Sequence, residues 1–123
     1  MKQILFILLA FISFQGFSQQ TVKLEEIGIE VMNEDLGKMN WEEAIKACAE
    51  LGDGWRLPTI DELNQMFSEY ENLLEGFKSK ILWSSYEEDS NDNARSLDFF
   101  DFGFTNHTTK NEVCFVVAVR DLK

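Results

Sequence analysis

The N-terminus decides how much chain is left to fold. After Lys2 the sequence runs without a charge through Ile4-Leu5-Phe6-Ile7-Leu8-Leu9-Ala10-Phe11-Ile12-Ser13-Phe14 and reaches small residues at Gly16 and Ser18. A basic start, a short apolar core and then small residues is the order of a secretory signal peptide. The run is shorter than the roughly 20 residues a membrane span needs, and a short uncleaved anchor is the alternative. No Cys lies near Ser18 to carry a lipoprotein anchor. We therefore expect residues 1–18 to be a signal peptide and 19–123 to be one exported domain, secreted or periplasmic, with no membrane span after cleavage. Of 123 residues, cleavage after Ser18 leaves 105, the size of a single ordinary domain.

Removing Lys2 leaves 10 basic against 22 acidic side chains, a net charge of −12. A surface that negative repels phosphate backbones and anionic lipid, and no block of Lys or Arg interrupts it. Nucleic acid is not an expected partner. The two cysteines, Cys48 and Cys114, both lie in the exported part. An even count in an oxidising compartment reads first as one disulfide, with two buried free thiols as the alternative. Such a bond would stabilise a small domain by about 4 kcal/mol on the chain-entropy picture.

Ile27, Ile29 and Val31 alternate with Gly28 and Glu30, which predicts a strand with one buried face. Asn40 with Glu43 has capping-box spacing, and Trp41, Ala44, Ile45, Cys48 and Leu51 follow on one helical face before Gly52. Thr59 with Glu62 repeats the spacing, and Leu63, Met66, Phe67, Tyr70 and Leu74 extend an apolar stripe to about Gly76. Beyond it we expect a short buried strand at Ile81–Trp83, a polar loop at Glu87–Asn93 and an aromatic-rich strand at Leu97–Phe104 with a turn or bulge at Gly103. The near-continuous apolar run Val113–Val119 reads as a central strand. A strand, two helices and then several strands make an α+β domain with helices segregated from an antiparallel sheet.

The residues Trp41-Glu42-Glu43-Ala44, Cys48, Leu51, Gly54-Trp55-Arg56-Leu57-Pro58-Thr59, Glu62-Leu63, Trp83-Ser84-Ser85 and Val119-Arg120 occur in this order. In that set the chain resembles the Lcl C-terminal domain family, a bacterial domain of unknown function, from about Ile29 to Arg120. The resemblance implies a C-type-lectin-like fold, two helices flanking a twisted antiparallel sheet whose first and last strands lie together, and a disulfide from the first helix to the last strand. The Arg-Leu-Pro-Thr turn is also similar to the formylglycine-generating branch of that fold. Those enzymes carry a close cysteine pair near the C-terminus, and this chain has only Cys114 there, so their activity is not implied. The Glu-Pro-Asn, Gln-Pro-Asp and Trp-Asn-Asp motifs of sugar-binding C-type lectins are absent as well.

Candidate chemistry concentrates in the loop stretch from Trp83 to Thr109. Glu87, Asp89, Asn91, Asp92, Asn93 and Arg95 are the candidate ligand-binding residues. Asp89, Asn91 and Asn93, within the oxygen-donor cluster Glu87–Asn93, are candidates for Ca²⁺, which wants six to eight oxygen ligands. Read as an EF-hand from Asp89, the loop has Ala94 where glycine is required and Phe100 where a bidentate glutamate is required, so it is not one, and a solvated loop is the plainer reading. No cofactor is expected. His107, the single histidine, has no nucleophile or acid beside it in sequence and reads as a surface-loop residue. Trp41, Trp55 and Trp83 read as core. Asn106-His107-Thr108 matches a glycosylation sequon, meaningful only in a host with that machinery. The expected function is a monomeric, non-catalytic binding or adhesion-type module for a neutral or cationic glycan or an envelope protein. A structural or inhibitory envelope partner is the alternative, and an enzyme comes third.

Overall fold

A computed structural model describes residues 20–88, 92–100 and 103–122. The expected signal peptide lies outside them. The fold is α+β, built on two sheets and two helices. The first sheet has the order β1-β2-β8, all antiparallel, from β1 (Thr21–Leu24), β2 (Ile29–Met32) and β8 (Val119–Asp121). The predicted first strand is β2, and it does lie beside the last strand. β1 was not foreseen. Nor is β2 half-exposed: Ile29 and Val31 join one core, Met32 the other, and the buried Glu30 carboxylate accepts from the Thr21 hydroxyl and from Arg120 Nε at 2.9 Å.

The second sheet runs β3-β7-β4-β5-β6 through β3 (Lys38–Met39), β7 (Cys114–Phe115), β4 (Ile81–Glu87), β5 (Asn93–Asp98) and β6 (Phe104–Thr109). β4 and β7 meet in parallel at Leu82 and Phe115, so this sheet is mixed rather than antiparallel throughout.

Helix α1 (Trp41–Glu50) and helix α2 (Ile60–Tyr70) start where their caps put them. Asn40 and Glu43 bond reciprocally at 2.9 and 3.1 Å, as do Thr59 and Glu62 at 3.0 and 2.9 Å. Only part of each stripe is buried. In α1, Trp41, Ala44 and Cys48 turn inward, while Ile45, and Leu51 just past the helix end, are 40% and 39% exposed. α2 ends at Tyr70, short of Gly76, and two 3-10 turns (Glu71–Leu73 and Glu75–Phe77) carry Leu74 and Phe77 into the core. Asn72 and Gly76 are poor helix formers, consistent with the early stop.

Neighbours along a strand point to opposite faces, and here they fall into two cores. Leu82, Leu97, Val117 and Val119 join Leu63 and Met66 of α2. Trp83, Ala94, Val116 and Ala118 join Trp41, Ala44 and Cys48 of α1, with Trp55 and Leu57. The sheet is therefore flanked by one helix on each side. All three tryptophans are core residues, as expected, and the indole N–H groups of Trp41 and Trp83 donate to the Ser84 and Met39 carbonyls at 2.9 and 2.8 Å.

Two expected strands need correction. The run Val113–Val119 is not one central strand: Cys114–Phe115 belongs to the second sheet and Val119–Asp121 to the first. Between them Val116–Ala118 crosses from sheet to sheet, its backbone held by Leu36, Gly37 and Met32. It is apolar throughout because it faces both cores. β5 ends inside the expected strand Leu97–Phe104, where the Phe100 N–H donates to Asp98 Oδ1 at 2.8 Å, and Gly103 at φ 69 precedes β6. The turn expected at Gly103 is present.

Candidate functional site

The stretch Trp83–Thr109 is mostly an antiparallel meander, not a long loop. β5 pairs with β6 without interruption from Asn93–Thr109 to Asp98–Phe104. β4 pairs with β5 in one register at Trp83–Ser96 and in another at Glu87–Ala94, so Ser84, Ser85 and Tyr86 face the single residue Arg95. That is a β-bulge, which bends a strand and re-aims its side chains. Its backbone is well satisfied. The Ser84 hydroxyl donates to the Arg95 carbonyl at 2.7 Å and accepts from the Tyr86 N–H at 3.1 Å, while the Ser85 N–H donates to the Pro58 carbonyl at 2.8 Å.

The bulge leaves the Tyr86 side chain 46% exposed with the Arg95 guanidinium 5.1 Å from its ring centroid. Arg95 lies directly opposite His107 across the β5–β6 pair. Glu88 Oε1 accepts from Arg95 Nε and contacts His107 Nδ1, each at 2.8 Å. The Arg95 hydrogen bond holds the Glu88 carboxyl below the usual carboxylate range, partial desolvation opposes it, and His107 adds to the lowering. The result is an exposed ring beside a carboxylate, guanidinium and imidazole, with the ring, guanidinium and imidazole carried on strands and the carboxylate one residue past the end of β4. On the opposite face of the sheet Glu87 pairs with Lys110, whose ammonium sits 4.7 Å over the Trp41 ring.

Of the expected ligand-binding residues, the structure brings Arg95 to this surface; Glu87 lies opposite Ala94, whose side chain packs in the Trp41 core on the other face of the sheet. Asn93 opens β5 opposite Thr109, and Asp92 is exposed with its carbonyl accepting from the Lys110 N–H. Asp89 and Asn91 lie outside the described residues, and with them most of the candidate calcium set. Among the described residues no group of three or more His, Cys, Asp or Glu side chains is placed to hold a metal ion. His107 is exposed, as expected, but on strand β6 rather than a loop. Sequence reasoning missed Tyr86 as part of the site and Glu88 as its hub. Their signal is the bulge and the β5–β6 register, neither of which is local in the sequence.

A second cluster of charges lies away from this surface. Arg56 grips Glu62 with both terminal nitrogens at 2.9 and 3.0 Å and reaches Asp121 at 2.8 Å, while its backbone bonds Val119 in both directions. Arg120 pairs with Glu30 and stacks 4.6 Å from the Trp55 ring. These contacts tie the start of α2 and the Trp55–Thr59 segment to β8, so they hold the frame.

Residues 19–120 match the family model of the Lcl C-terminal domain. The chain belongs to the Lcl C-terminal domain family. No curated protein matches it. In this Lcl C-terminal domain the residues that carried the family resemblance are chiefly packing and pinning residues: Trp41, Ala44, Cys48, Trp55, Leu57 and Trp83 fill one core, and Arg56, Glu62 and Arg120 pin it. The surface around Tyr86 lies outside that set. Cys48 and Cys114 stand as free thiols, buried in the same cluster. Burial pushes their thiols up to about 12 and about 11, with Glu112 adding to the second, so as thiols they are poor nucleophiles.

Proposed function

We propose that this Lcl C-terminal domain is an exported, non-catalytic binding module that recognises a neutral or cationic partner through the surface formed by Tyr86, Glu88, Arg95 and His107. The observation that carries this reading is the bulge: it spends regular strand pairing to turn an aromatic ring outward beside a preset cluster of donors and acceptors. A flat, half-exposed ring beside fixed polar groups suits a polyhydroxylated ring such as a sugar, where one face stacks and the hydroxyls bond. The fixed positive charge there, Arg95, is already neutralised by Glu88, which argues against sulfated or phosphate polymers.

The C-type-lectin-like character of the fold and a Cys48–Cys114 bond belong to the same proposal. β2 lying beside β8 supports the first, and the placement of both sulfurs in one buried cluster supports the second. An array of neutral glycans and envelope polysaccharides, probed with the 19–123 chain with and without Ca²⁺, tests the function. Selective retention of an uncharged glycan is the expected result. Binding confined to heparin or DNA would reverse the reading.

A further inference from the structure

β6 ends its sheet, and among the described residues no strand lies beyond it. The other sheet edges are short or charged: β1 contains Lys23, β3 is two residues including Lys38, and β8 contains Arg120 and Asp121. β6, Phe-Thr-Asn-His-Thr-Thr, is six residues long and has no Lys, Arg, Asp, Glu, Pro or Gly. It pairs with β5 without a bulge. Proteins ordinarily blunt such an edge with charge, proline or a bulge, because its outer backbone groups are a template for another strand. Here none of these devices is used, in a chain of net charge −11.

The direction of each backbone group follows from the ladder. The Lys110 N–H donates to the Asp92 carbonyl at 2.9 Å, on the same register as Thr109–Asn93. In an antiparallel pair, bonded and non-bonded residues alternate, so Thr108, Asn106 and Phe104 bond inward to β5. Thr105, His107 and Thr109 then present their N–H and C=O groups outward. The Thr109 carbonyl already accepts from the Glu112 N–H at 2.9 Å.

We infer that the outer edge of β6 pairs with β6 of a second copy of this chain, antiparallel about a two-fold axis at His107. That register sets His107 opposite His107, Thr105 opposite Thr109 and Asn106 opposite Thr108. His107 bonds its counterpart in both directions, and each Thr109 N–H reaches the Thr105 carbonyl across the axis. It puts like side chains on the same face and opposes no fixed charges, and Thr–Thr pairs are favourable across strands. The inference revises the monomer expected from sequence, and it stands whether or not the Tyr86 surface binds a glycan.

One strand pair is a small interface, so the dimer forms in the micromolar range or weaker. Because two acidic chains repel at long range, added salt strengthens it. Sedimentation of the 19–123 chain over a concentration series at low and physiological salt is the test. The expected result is a concentration-dependent dimer that salt favours. Thr109→Pro removes an outward N–H that the two-fold uses twice and spares the inner ladder, which an edge strand tolerates. It weakens association by about tenfold or more at one hydrogen bond lost per copy. Should that variant fail to fold, His107→Lys sets two ammonium groups face to face across the axis and reads the same loss. A wild-type chain that stays monomeric across the series overturns the inference, and so does a dimer unchanged in a folded variant.

Discussion

Among the described glycines, replacing Gly103 by alanine should destabilise the domain most. The residue has φ 69, a left-handed conformation that costs an L-residue about 1–2 kcal/mol. An added Cβ would also sit 2.6 Å from Phe67 Cδ2, 2.8 Å from Cε2 and 3.1 Å from Cγ. The ring meets buried Phe99 in a T-shaped contact, with centroids 5.3 Å apart and planes at 79°, so yielding to the methyl would disturb that contact. Overpacking of this kind costs about 1–3 kcal/mol, and the two effects together come to about 2–5 kcal/mol. Gly28, Gly37, Gly52 and Gly54 share the positive φ but have open space around the Cβ position, so their alanine variants should lose only the conformational part. Urea unfolding of Gly103→Ala beside Gly54→Ala measures both. In a Gly103→Ala, Phe67→Leu double variant the coupling should be favourable, since the smaller side chain makes room. A Gly103→Ala protein within about 0.5 kcal/mol of the parent, inside the range of ordinary surface substitutions, would refute this reasoning.

Ser96 and Thr108 share a buried hydroxyl–hydroxyl bond of 2.9 Å, so Ser96→Ala should cost about 1–3 kcal/mol by stranding Thr108, and Ser96→Ala with Thr108→Val should recover part of it in chemical denaturation. Burial alone would raise the Glu62 carboxyl, but the Arg56 hydrogen bonds and the Thr59 backbone N–H outweigh it and hold it below the usual range. A carboxyl lowered in the folded state stabilises above its unfolded value of about 4.3 and loses that contribution as pH falls through its folded value. Stability measured from about pH 5 down to pH 2 should therefore fall less steeply in Glu62→Gln than in the parent, and an unchanged slope would show the pair to be idle. Under the proposed Cys48–Cys114 bond, intact-mass analysis of the non-reduced 19–123 chain made in an oxidising compartment should show no titratable thiol, and Cys48→Ala should then cost about 2–5 kcal/mol; two alkylated cysteines would remove the bond from the account.

The parts of the fold that were legible in the sequence are the parts fixed by near neighbours. Both helix starts follow from side chains three residues apart, and the three tryptophans follow from the stripes and motifs around them. The strands were read less well because their partners are distant. Val113–Val119 looks like one buried strand by hydropathy, yet it spans two sheets, and no local pattern distinguishes a strand inside one sheet from a crossing between two cores. The stripe of α2 looks longer than the helix because Leu74 keeps helical spacing while the backbone has already tightened into a 3-10 turn. The candidate surface was legible only in outline. Arg95 and Glu87 stand out as charges, but the meeting of Glu88, Arg95 and His107 depends on the β5–β6 register. Tyr86 turns outward because three residues of β4 are set against one of β5.

The central claim is that this domain recognises its partner through the outward face around Tyr86. The most direct measurement compares Tyr86→Ala with the parent on the same glycan and polysaccharide array, with unfolding midpoints measured alongside. Loss of binding by the variant at an unchanged midpoint is the expected result, because the ring is half-exposed and supports no core. Binding that survives Tyr86→Ala undiminished would contradict the account.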